Sequence, residues 1–152
     1  MMLALRRTAA EDATWWQRLF AWATRVRLVS DYCHGGIVID GMMYQVNAAR
    51  GLHATSYDPQ RWDLYPVDGS DETALLLFDL WQHARYDYIG LLAFVTPWRF
   101  GRADRLYCFE WCALCLGIPI DDRITPERLL AAALNPARQR AGFFTPIRKD
   151  AP

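Results

Sequence analysis

Tyr32-Cys33-His34-Gly35-Gly36-Ile37-Val38-Ile39, then Asp40-Gly41, then Met42-Met43-Tyr44-Gln45-Val46-Asn47, is the stretch whose reading decides the fold. Two strand-like runs flank an Asp-Gly pair, which is the strongest short-range signal for a hairpin closed by a two-residue turn. With Asp40 and Gly41 as the loop residues, Ile39 pairs with Met42, Gly36 with Gln45, and His34 with Asn47. His34, Gly36, Gln45 and Asn47 then share one face. Cys33 points to the opposite face from its neighbour, which makes it a poor partner for the His34 ring. A lone histidine is more often structural than catalytic. Here polar side chains on one face, beside glycines that leave the surface open, suit the orienting of an imidazole for proton transfer.

The second informative stretch is Leu106 to Gly117, which holds Cys108, Cys112 and Cys115. Its almost unbroken apolar run, ended by Gly117 and Pro119, reads as a helix surrounded by protein. Cys108 falls in the first turn, where unpaired N–H groups and the positive end of the helix dipole favour thiolate and lower the pKa. That position makes it the candidate nucleophile. Cys112 and Cys115 follow on the same helix face and read as small core hydrophobes. The spacing Cys-x3-Cys-x2-Cys also matches the cluster pattern of radical enzymes, which place it in a loop of a longer barrel. Three thiols on one helix face do not close a tetrahedral site, so no metal or other cofactor is expected.

Outward from these stretches, Asp12 or Thr14 can cap a helix to about Val26, with Trp15, Trp16, Leu19, Phe20 and Ala23 as its core stripe. Gly51 to Pro59 reads as a loop with His53 on its surface, and Arg61 to Val67 as a strand. Ser70 caps a helix to about Ala84, whose Leu75, Leu76, Phe78, Leu80 and Trp81 again read as core. Asp87, between Tyr86 and Tyr88, reads as the cap of an apolar helix over Ile89 to Val95 rather than as a catalytic acid. Thr125-Pro126-Glu127 opens a helix to about Leu134.

At 152 residues, 53% hydrophobic and 14% aromatic, the chain can bury one core. We read a single domain over 1–134 and a basic tail over 135–152, solvated, partly disordered or docked on a partner. Seventeen basic residues balance seventeen acidic ones, so the totals give no electrostatic footprint for nucleic acid or an anionic membrane. No apolar run reaches the roughly 18 residues of an integral membrane segment. Three crowded cysteines do not form a disulfide framework, which points to a reducing, cytoplasmic setting without a leader peptide.

The order Trp15-Trp16-x3-Phe20-x3-Thr24, then Tyr32-Cys33-His34-Gly35-Gly36-Ile37-Val38-Ile39-Asp40-Gly41, then Ala84-Arg85-Tyr86-Asp87-Tyr88-x-Gly90, then Tyr107-Cys108-Phe109-Glu110-Trp111-Cys112 resembles the circularly permuted papain-like cysteine hydrolases. These belong to the superfamily of NlpC-type cell-wall peptidases and lecithin retinol acyltransferase, and the resemblance covers about Trp15 to Leu134. It implies an α+β fold in which a small antiparallel sheet of about five strands packs against helices. It implies Cys108 as nucleophile, His34 as base, Gln45 as the third catalytic residue and Glu110 as the family's helix glutamate. Strand geometry alone also allows Asn47 as the third residue. Cys33 stands where the family usually has serine, and so does Phe109. The implied activity is cleavage of an amide bond in a peptide or cell-wall peptide through an acyl thioester. The rivals are a lipid acyltransferase or thioesterase acting on an acyl-lipid substrate, and a non-catalytic binding or assembly module.

Overall fold

A computed structural model describes residues 1–9, 13–87, 105–120 and 124–135. In chain order its elements are β1 (Met2–Arg6), α1 (Trp15–Leu28), β2 (His34–Ile39), β3 (Met42–Asn47), β4 (Gly51–Ser56), a 3-10 turn (Pro59–Arg61), β5 (Asp63–Pro66), α2 (Asp71–Trp81), β6 (Arg85–Tyr86), β7 (Arg105–Leu106), α3 (Cys108–Cys115) and α4 (Pro126–Ala133). Asp40 and Gly41 both take positive φ, 49° and 77°, the turn geometry that matches the twist of the paired strands. The register follows from that turn: Ile39 pairs with Met42 and Gly36 with Gln45.

Five strands form an antiparallel sheet in the order β4-β3-β2-β1-β5, and β6 and β7 form a separate parallel pair. With its four helices among the described residues, the chain is α+β. Side chains alternate along each strand, so the sheet has two distinct faces. Leu3, Leu5, Ile37, Ile39, Val46 and Leu52 join Phe109, Trp111 and Cys112 in the main core. Ala4, Val38 and Met43 form a smaller cluster, with Trp62 and Leu64 packed against it.

The apolar run of α3 is buried as its sequence requires, with Cys108, Phe109, Trp111, Cys112, Ala113 and Cys115 all inside. Two contacts fix it on the sheet. The Trp111 indole N–H donates to the Tyr44 carbonyl at 3.0 Å. Gly35 lets the helix approach, because a Cβ there would sit 3.1 Å from the Phe109 ring and 3.2 Å from Leu5. Helix starts follow their cap residues: the Ser70 hydroxyl accepts from the Thr73 N–H at 3.1 Å and the Thr125 hydroxyl from the Arg128 N–H at 3.3 Å.

The structure corrects several expectations. β1 lies where the sequence shows only a short apolar run, and β4 replaces the loop expected from Gly51. On α1, Trp15 and Leu19 are exposed, and on α2 so are Leu76 and Leu80, while Phe78 and Trp81 do pack against the core. Helical spacing shows that apolar side chains share a face; it does not show that another element covers that face. The apolar segment Ile89 to Val95 and the tail beyond Asn135 lie outside the described residues. No helix among the described residues is long and apolar enough to cross a membrane.

Candidate active site

His34 opens β2 and Gln45 stands diagonally across on β3, on the face shared with Gly36. Their side chains meet, with His34 Nε2 2.8 Å from Gln45 Oε1. A carboxamide oxygen can only accept, so Nε2 carries the proton and Nδ1 keeps its lone pair. The ring is half-buried and lies 5.8 Å from Trp62, tilted by 49°. The Arg6 guanidinium in turn sits 4.9 Å above Trp62.

Asn47 has other work. Its carbonyl oxygen accepts the Ala49 and Arg50 N–H groups at 3.0 and 2.8 Å, closing the turn into β4. Its amide nitrogen meets His53 Nε2 at 3.2 Å, and His53 Nδ1 donates to the Gly51 carbonyl at 3.0 Å. His53, expected on a surface loop, is therefore a partly buried strand residue directly opposite Gln45. The imidazole of His34 is partnered by Gln45, the closer of the two candidates in the sequence.

Burial, followed by the nearby positive charge of Arg6, pushes the His34 pKa down to about 4, against the opposing hydrogen bond that the ring donates to Gln45. The folded state therefore binds a proton less readily than the unfolded chain, whose histidine titrates near the ordinary 6.5. This contribution to stability is complete above about pH 6.5 and is lost as pH falls from there through 4. Thermal unfolding followed from pH 7 to 4 should show the midpoint of the wild type dropping more than that of His34→Gln. Parallel curves would contradict it.

Cys108 begins α3 and is 3% exposed. Its thiol takes a hydrogen bond from the Gly35 backbone, yet burial pushes its pKa up to about 12. This reverses the expectation of a lowered pKa. Removal from water outweighs the helix N-terminus, and Glu110 further weakens that terminus by accepting the Tyr107 N–H at 3.2 Å and placing a carboxylate there. Burial also raises Cys112 and Cys115 well above their ordinary value. The half-buried Cys33 thiol donates to the Arg6 carbonyl at 3.3 Å, and burial raises its pKa too.

His34 and Gln45 are thus joined, while Cys108 touches the strand one residue further on, at Gly35, from the α3 side, on the face of the sheet opposite the His34 ring. Among the described residues no hydrogen bond links the Cys108 thiol to the His34 ring. Asp87 is buried, 2% exposed, and its N–H donates to the Leu106 carbonyl, which ties the end of β6 to β7. Arg6 and Trp62 were not legible as parts of the site. Arg6 lies opposite His34 only because β1 pairs with β2, and no local pattern marks Trp62. Among the described residues no group of three or more histidine, cysteine or carboxylate side chains is arranged to hold a metal ion.

No protein-family model, curated protein or solved structure matches the chain.

Proposed function

We propose that the protein is a thiol hydrolase of the permuted papain-like kind, cleaving an amide bond in a peptide or cell-wall peptide. The observation that carries this reading is the His34–Gln45 hydrogen bond, which orients the ring and leaves Nδ1 as its basic atom. The Cys108 thiol rests against the neighbouring Gly35 backbone on the opposite face of β2, so the proposed proton transfer requires thiol and ring to be brought together as substrate binds. In the resting protein thiol and imidazole are both neutral, so attack and proton transfer are coupled. As the substrate carbonyl enters, the Cys108 sulfur forms the C–S bond, its proton passes to His34 Nδ1, and the carbonyl electron pair moves to oxygen. The Cys108 N–H at the start of α3 stabilises the oxyanion. Collapse breaks the C–N bond, and the leaving amine takes the proton back from His34. Water, deprotonated by the same ring, then hydrolyses the thioester.

A specific observation favours a second reading, a non-catalytic binding module: Cys108 is buried and held as a thiol. An electrophilic acyl probe separates the two. The hydrolase forms one covalent adduct, mapped by mass spectrometry to Cys108, and Cys108→Ala forms none. Labelling of the half-buried Cys33 alone, or of no cysteine in the folded protein, would leave the binding module standing.

A further inference from the structure

The turn that joins β3 to β4 is closed by a chain of hydrogen bonds that fixes the protonation of one histidine. Asn47 Oδ1 accepts the Ala49 and Arg50 N–H groups at 3.0 and 2.8 Å, so the side-chain amide cannot turn over without losing both. Its Nδ2 is thereby aimed at His53 Nε2, 3.2 Å away. On the other side of the ring His53 Nδ1 lies 3.0 Å from the Gly51 carbonyl oxygen. That oxygen can only accept, so Nδ1 holds the proton and Nε2 offers the lone pair that takes the Asn47 N–H. The bonds fit a neutral ring alone. A second proton on Nε2 sets N–H against N–H, and rotating Asn47 to present its oxygen strips Ala49 and Arg50 of their acceptor.

The turn also seats the next element. Gly51, at a φ of 68°, ends the turn beneath the Ala84 carbonyl, where a Cβ would stand 2.6 Å from the oxygen. The Leu52 N–H donates to the same carbonyl at 3.3 Å, and Ala84 leads straight into β6. On the elements packed against β4, Tyr44 of β3 and Tyr86 of β6 belong to the main core on the other face of the sheet. The remaining ionisable groups are Arg85 of β6, Arg50 of the turn, and His34 one strand further across, close enough to feel charge on His53. All three are cations or bases, and among the described residues no carboxylate pairs with His53.

We propose that the β3–β4 turn is an acid-released latch: a second proton on His53 breaks its bond with Asn47, opens residues 48–50 and loosens β4 from Ala84 at the entry to β6. The inference is independent of the thiol chemistry. The test is amide hydrogen exchange of the full chain, read residue by residue by NMR and corrected for the intrinsic pH dependence of exchange, from about pH 7.5 to about 5, the span in which histidines ordinarily change charge. His34, whose pKa lies at about 4, stays largely neutral over that span. Protection at Ala49, Arg50 and Leu52 should fall at least about tenfold toward acid, while the paired Ile37 and Tyr44 keep theirs. His53→Gln, which takes no charge, should remove the dependence. Asn47→Asp should reverse it, because a carboxylate still accepts the turn N–H groups and also accepts from the charged ring. Protection in the wild type that is unchanged by pH, a fall shared by Ile37 and Tyr44, or an equal fall in His53→Gln or in Asn47→Asp would each overturn the proposal.

Discussion

Protein carrying His34→Ala should acylate Cys108 at least about 100-fold more slowly than wild type, the usual span for loss of a positioned general base. The effect is expected to be large because burial holds the thiol far from ionisation, with its pKa near 12. In the proposed mechanism the imidazole lone pair is what takes that proton. Gln45→Ala should slow the reaction by about tenfold, because the ring keeps its basic nitrogen but loses the bond that fixes its tautomer. Asn47→Ala should leave the rate unchanged once stability is matched, since that side chain serves the turn into β4 and His53. Stopped labelling with the acyl probe, read against time by mass spectrometry, gives all three rates. If Asn47→Ala is impaired and Gln45→Ala is not, the assignment of the third residue fails.

Trp111→Ala should cost about 3–5 kcal/mol of folding free energy, the range for removing a large buried aromatic side chain. Trp111 is fully buried, packs in the core shared by α3 and the sheet, and stands edge-on to Phe78 with ring centroids 6.5 Å apart. Its loss also leaves the Tyr44 carbonyl without the indole donor, a further cost on the order of 1 kcal/mol. Against a total of about 5–15 kcal/mol for a typical domain this is a large fraction. Urea titration should show a lower midpoint with an unchanged slope, and Trp111→Phe should restore most of the difference. A loss below about 1 kcal/mol would mean that α3 does not anchor the core as described.

The hairpin was legible because Asp-Gly specifies both turn and register within a few residues, and register then places Gln45 on the face of His34. The buried helix around Trp111 was legible for a similar reason, since its apolar run admits no exposed face. β1 was not. Leu-Ala-Leu says little until β2 and β5 are present to pair with it on both sides. β4 was missed because Gly51 reads as a break, although Leu52 does turn into the core. The Cys108 pKa went astray because a helix terminus is a local feature, whereas the burial that overrides it depends on Gly35, Phe109 and the whole sheet.

β1 sits between β2 and β5, yet it precedes both in the chain. A nascent chain therefore carries Leu3 and Leu5 uncovered until residues 34–38 and then 63–66 have emerged to flank them. The β2-β3-β4 meander needs only short turns, and loop-closure entropy rises by about 0.6 kcal/mol with each doubling of length. Order of assembly thus runs against order of synthesis, with the strand made first being the last to be enclosed. Pulsed hydrogen exchange during refolding should find amides of Ile37 to Val46 protected before those of Leu3 to Leu5. Simultaneous protection of both sets would show that the sheet closes in one step.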